Sequence, residues 1–286
     1  MPFVLEILYQ GALAGLLALS FAVVFVPTRI WHFAHGGVYV LAAVVFWWAN
    51  SGLGWSVLPA SVLAIVASGI AGGLIHRGLY APLERRGVLP LVIVIASIGL
   101  MTVMGAIAQL LLGPGGEGVS YTPHAVYVFG AYANTDMFAA LALVVLLYVG
   151  GRALLNRSRF GAVLRAMVTS RSFLALRGID TERLATVAFV MGSCLVAVPA
   201  ILLAADSGVQ ASGGTEAVLI AAMGVFLAGT ETILGALGAG FLLGVIGQVG
   251  GLLLSYQWQD AIMFAAAALF LLIRPAGFSQ ALRRVV

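Results

Sequence analysis

Long apolar runs separated by short polar breaks fill the chain from end to end. The runs lie at about 5–26, 34–50, 56–75, 89–112, 137–151, 184–205, 217–254 and 258–273. Most approach the roughly 20 residues that a helix needs to cross the hydrocarbon of a bilayer. Only a helix or a closed barrel satisfies its own backbone polar groups there. The pattern therefore predicts an all-α polytopic membrane protein with about eight transmembrane segments. The run 217–254 is too long for one helix and is interrupted by Gly229-Thr230-Glu231-Thr232. It reads as two elements, 217–228 and 233–254, forming a broken or re-entrant unit. The first is too short to cross comfortably unless its surroundings thin the path.

Composition strengthens this picture. Hydrophobic residues make up 62% of the 286 residues and charged residues 8%, against about 25% charged in a soluble domain. Too few polar residues remain to cover a globule in water. The longest polar stretches, Arg152 to Arg183 and Pro114 to Asp136, cannot bury a core of their own, so residues 1–286 read as one transmembrane domain. The segment Met1 to Gln10 lacks a basic leader region and a small-residue cleavage site, so the first apolar run reads as a retained helix.

The charge distribution adds sidedness. All 14 basic residues are arginines. Arg29 follows the first run, Arg77, Arg85 and Arg86 the third, and Arg152, Arg157, Arg159, Arg165, Arg171, Arg177 and Arg183 the fifth. Arg274, Arg283 and Arg284 follow the last. The intervening loops carry Glu117, Asp136, Asp206, Glu216 and Asp260 instead. Arginine-bearing short loops stay in the cytoplasm, which places the N-terminus outside and the C-terminus inside. The same asymmetry explains the basic balance without nucleic acid. By parity, 217–254 begins and ends outside, as two crossings or as a re-entrant hairpin.

Candidate chemistry is sparse. The chain has no lysine and hence no P-loop lysine. It shows no nucleophile–base motif, and no cofactor is expected. Cys194, the single cysteine, sits within an apolar run as a small packing residue. His32 and His35 share a helix face, but no acidic or cysteine ligand lies near them in sequence, so a structural or gating role is expected over a metal. His76 and His124 read as loop residues. Glu231 is flanked by long apolar elements. Such a group is either a functional intramembrane carboxylate or the polar end of a hairpin. Glycine is abundant, with 36 residues; Gly235, Gly238, Gly240 and Gly244 form a dense run that reads as a tightly packed helix face.

The stretch about 152–183 carries most information. It reads Gly161-x-x-x-Arg165-Ala166, then Ala175-x-x-Gly178-Ile179-Asp180. Residues 162 to 176 predict a short helix, Gly178 its left-handed cap, and Asp180 or Thr181 the cap of the next helix. An exposed cytoplasmic helix of this kind is either a connector or a docking element.

These residues resemble the coupling-helix loop of ABC importer permeases. Phe33-Ala34-His35-Gly36, Ser97-Ile98-Gly99-Leu100, Gly235-Ala236-Leu237 through Gly244, and Trp258-x-Asp260-Ala261 with Arg274-Pro275-x-Gly277 are similar, in order, to segments of the LivH-type branched-chain amino-acid permeases. The resemblance implies the ABC importer permease fold and a non-catalytic subunit forming half of a translocation pathway. The cargo it implies is amino acids, branched-chain by default, or related small polar solutes. It also implies a second, LivM-like permease, two cytoplasmic ATPases, an extracytoplasmic binding protein and a bacterial inner-membrane location. On that resemblance Gly161, Arg165, Ala166, Ala175, Gly178 and Ile179 would couple to the ATPase; Phe33, His35, Gly36 and Glu231 are the candidates for lining or gating the pathway. The alternative is a self-sufficient secondary transporter or channel built on Glu231.

Overall fold

In the computed structural model, residues 2–121, 125–128, 131–169, 174, 176–274 and 277 are described. Arg171, Ala175, His124, Pro275, Arg283 and Arg284, all invoked above, lie outside them. Helix α1 spans Pro2–Thr28, α2 Ala34–Trp47, α3 Val57–Ile75, α4 Ala81–Arg85, α5 Pro90–Leu112, α6 Thr135–Arg157 and α7 Arg159–Thr169. They are followed by α8 Thr181–Ser207, α9 Gly213–Ala228, α10 Ile233–Leu253 and α11 Gln259–Ile273. Among the described residues, seven helical stretches are long and apolar enough to cross a membrane, and α9 is a shorter apolar helix. Every apolar run in the sequence coincides with a helix. The run 217–254 is divided at residues 229–232, where α9 ends and α10 begins. With 16 residues, α9 reaches about 24 Å at 1.5 Å per residue, short of a bilayer's roughly 30 Å.

Two helices contain a π-helical turn. Trp48–Gly52 extends α2, and His76–Tyr80 joins α3 to α4 without a break. The resulting helical stretch runs over Val57–Arg85, 29 residues. His76 is therefore a helical residue with a fully buried ring, and its assignment to a loop is corrected. The helix does not stop at the first charge after the apolar run. One feature falls outside an all-α expectation: Ala125–Val128 pairs antiparallel with Ala131–Asn134, from Ala125 opposite Asn134 to Val128 opposite Ala131. The segment is rich in Val and Tyr, which favour strands.

The chain divides into two compact units. One comprises residues 1–22, 123–154 and 219–286. Its seam is a glycine-lined approach of α1 and α10. A β-carbon on Gly240 would lie 2.6 Å from the Ala14 carbonyl oxygen, and one on Gly244 2.5 Å from that of Gln10. From the other side, one on Gly15 would lie 2.9 Å from the Leu237 carbonyl oxygen. Backbones approach this closely where hydrophobicity does not drive association and dispersion contact does. The other unit comprises residues 23–122 and 155–218. There α2 packs on α3, α5 and α8, and α3 packs on α8. Gly69 and Gly72 of α3 abut Cys194 and Ser193 of α8. The central window of α1 is fully buried and that of α5 only 11% buried. So α1 is a core helix, while α5 leaves Leu91, Ile95, Val103, Ile107 and Leu110 exposed.

Candidate functional site

The loop that follows α6 is built from local caps. Ser158 breaks the helix, and its Oγ accepts from the Gly161 N–H at 2.9 Å, which is the third position of α7 and a standard N-cap bond. Gly161, Leu164 and Met167 are buried at a spacing of three, while Arg165 is exposed and Ala166 half-buried. This gives α7 one buried face and one exposed face. The Ile179 N–H donates to the Leu174 carbonyl at 3.1 Å, and Gly178 between them has φ 75°. That six-to-one bond with a left-handed residue is a Schellman closure, and Gly178 stands in open space. Asp180 then caps α8, its side chain accepting from the Arg183 N–H at 3.0 Å. Glu182 receives a two-pronged contact from Arg85 at the end of α4, with Nε to Oε2 at 2.9 Å. Both side chains are exposed, so the pair orients the loop and adds little to stability.

In the same unit the turn Phe33-Ala34-His35-Gly36 opens α2. Phe33 has no capping side chain. The Ala34 N–H instead donates to Ser97 Oγ of α5 at 2.9 Å. Ser97 Oγ lies 2.6 Å from Tyr80 Oη, and His32 Nδ1 lies 2.9 Å from the same phenol. Across α8, the ring of Phe189 packs against those of His32, His76 and Tyr80 with centroids 4.8–5.2 Å apart. His76 Nδ1 lies 3.0 Å from Thr186 Oγ1, which donates to the Glu182 carbonyl at 3.0 Å. His35 is buried, and Phe33 is half-buried and stacked on Trp31. Gly36 meets the backbone of Gly214 and Met101 Sδ closely enough that no side chain fits. These hydroxyls pair with one another, with two imidazole nitrogens and with the backbone, so the cluster ties α2, α5, the π turn and α8 together. Among the described residues, no group of three or more His, Cys, Asp or Glu is placed to hold a metal.

The structure thus brings Phe33, His35 and Gly36 together, and gathers Gly161, Arg165, Ala166, Gly178 and Ile179 in one loop. Ala175 lies outside the described residues. Glu231 joins neither group. It is exposed on the turn between α9 and α10, where its N–H donates to the Gly229 carbonyl at 2.8 Å. Within this chain it is not enclosed by apolar helices. Of the glycine run, Gly240 and Gly244 face α1, Gly235 abuts Thr232 and Ala228, and Gly238 meets nothing within 4 Å. The face is narrower than the run of glycines suggests, because residues 235 and 238 rotate off the 240/244 seam. Tyr80, Thr186 and Phe189 are the residues that sequence reasoning missed. Their signal was faint: a tyrosine after an apparent helix end, and two residues in an otherwise ordinary apolar span.

Comparison with known proteins covers nearly the whole chain. The family described as the permease component of branched-chain amino acid transport systems matches residues 3–273. The high-affinity branched-chain amino acid transport system permease protein BraD of Pseudomonas aeruginosa is 28% identical over 282 residues, 93% of this chain and 91% of that one. LivH of Escherichia coli K12, with the same description, shows the same identity and coverage. No solved structure matches.

Proposed function

The chain belongs to the family of permease components of branched-chain amino acid transport systems, and on that premise we propose that it forms half of the pathway by which an ATP-binding cassette importer carries branched-chain amino acids across a bacterial inner membrane. The observation that carries this reading is the family match from residue 3 to residue 273. The energy source on this reading is a pair of separate cytoplasmic ATPases, since this chain contains no lysine for a P-loop of its own. A second, related permease completes the pathway, and an extracytoplasmic binding protein delivers the solute.

The loop at 152–183 meets the ATPase. Its short helix presents Arg165 outward, and its Schellman turn hands the chain directly into α8. Displacement of α7 by ATPase closure then acts as a lever that shifts the population between inward-open and outward-open states. The exposed position of Glu231 favours this reading over a secondary transporter, which needs an enclosed ion or proton site.

Two experiments test it. A complex purified through a tag on this chain is expected to contain ATPase subunits, and proteoliposomes holding it are expected to accumulate leucine only with ATP and binding protein. Uphill leucine uptake by the chain alone would establish the secondary-transporter alternative. Sidedness is tested by thiol labelling in a Cys194→Ser background. Gly118, which has open space for a side chain, should label as cysteine from outside intact cells, and Leu176, 87% exposed, only after permeabilisation. The reverse pattern inverts the topology.

A further inference from the structure

Helix α2 begins without a side-chain cap of its own, although the His35 and Gly36 N–H groups turn back onto the His32 and Phe33 carbonyls at 3.0 Å. The first N–H groups of a helix have no partner within it, and a local Ser, Thr, Asp or Asn ordinarily supplies one. Here Phe33 stands at that position, and the acceptor for Ala34 comes from Ser97, 63 residues away on α5. Ser97 is fully buried and held by Tyr80 at the end of the π turn, and Tyr80 in turn holds His32. Tyr80 and His32 both lean on Phe189 of α8. Two turns earlier on α8, Glu182 binds Arg85 through its carboxylate and Thr186 through its carbonyl, and Thr186 reaches His76. The start of α8, immediately after the capped loop, is therefore linked through buried contacts to the start of α2.

Packing alone does not account for these groups. Phenylalanine and alanine at positions 80 and 97 would fill nearly the same space with no hydroxyl to satisfy, and each buried polar group is costly unless paired. What the hydroxyls add is direction. They fix the angle at which α2 enters and which N–H is capped. Close-packed elements of this kind move between discrete arrangements and not by continuous deformation.

We propose that Tyr80 and Ser97 are positioning residues that tie the first turns of α8 to the Phe33-to-Gly36 turn, so that displacement of the loop at 152–183 resets the entry of α2. The inference rests on the reading of that loop as the ATPase-docking element. Coupling between distant sites requires a physical element that both bias, and the shared cap of α2 is that element.

The test uses the purified complex with its ATPases, in a Cys194→Ser, Trp31→Cys parent. Trp31 stacks on Phe33, so a maleimide at position 31 reports on the turn. Labelling rates are compared in nucleotide-free and vanadate-trapped complexes. The parent is expected to show a clear difference between the two states. Tyr80→Phe and Ser97→Ala are each expected to reduce that difference about fivefold, the scale of one hydrogen bond, with ATP hydrolysis and subunit stoichiometry held within about twofold. Ser97→Thr keeps the acceptor and should restore the difference. The proposal is overturned if the parent shows no difference, if both variants retain it in full, or if it falls only in proportion to loss of assembled complex. Absence of ATPases from the parent complex sinks the docking reading, and the relay with it. The other outcomes overturn the relay alone.

Discussion

Replacing Gly240 with leucine should strongly destabilise the unit in which α1 meets α10. A β-carbon there falls 2.6 Å from both the Ala14 carbonyl oxygen and the Ala18 β-carbon, inside the contact distance of real atoms. A leucine must therefore separate two helix backbones along their whole seam, breaking the adjoining contacts of Gly244 with Gln10 and of Gly15 with Leu237. Overpacking of a close-packed interior costs about 1–3 kcal/mol and more where nothing can yield. Here the neighbour is backbone, so the upper end applies. For a domain of this size that is a fall of about 10 °C in the melting temperature. Gly238→Leu is the matched control. It lies two residues away on the same helix but meets nothing within 4 Å, and should leave the melting temperature of the isolated chain unchanged. Thermal unfolding in detergent, followed by size-exclusion profile, distinguishes the two. Equal melting temperatures for Gly240→Leu and wild type would show that the α1–α10 seam does not hold the unit together.

The second large effect is expected at Gly178. Valine there should reduce ATP-driven uptake tenfold or more without altering binding-protein docking on the opposite side of the membrane. The residue adopts φ 75° with nothing around it, so the penalty is conformational and not steric crowding by neighbours. A left-handed conformation costs an ordinary residue about 1–2 kcal/mol, and a β-branched one more. The Schellman closure then opens, and Asp180 no longer meets α8 in register. Gly178→Asn should retain most of the activity, since asparagine tolerates the left-handed region. The order glycine, asparagine, valine is thus the signature of a backbone requirement. The measurements are ATP hydrolysis and leucine uptake on the same proteoliposomes. Full uptake in the valine variant would make the loop a connector.

Much of this architecture was legible from the chain because membrane helices announce themselves by length. Each apolar run became a helix, and Gly229-Thr230-Glu231-Thr232 marked the break between α9 and α10 because four weakly apolar residues cannot continue a buried span. The caps at Gly178 and Asp180 were legible for a different reason: backbone geometry at helix ends is local and restricted to a few residue types. What failed were inferences about which residues meet. His76 was assigned to a loop because Arg77 follows it, whereas the helix continues through a π turn that keeps the imidazole inside and the arginine out. The Ser97–Tyr80–His32 contact joins residues separated by 17 and 48 positions, and no periodicity within a single run encodes it. Gly238 was grouped with Gly240 by proximity along the chain, but successive residues of a helix point about 100° apart.

The π turn at His76–Tyr80 has a consequence for descent. A π turn accommodates one more residue than an α-helix of the same height, so it behaves as a single-residue insertion absorbed within a helix. Excising one residue from this stretch would return it to ordinary α-helix and leave the flanking turns in register. Arg85, beyond the turn, would keep its side toward Glu182, and only the side chains within 76–80 would be re-aimed. A one-residue gap in a related chain at this point is therefore a local change, confined to the buried residues of the turn itself.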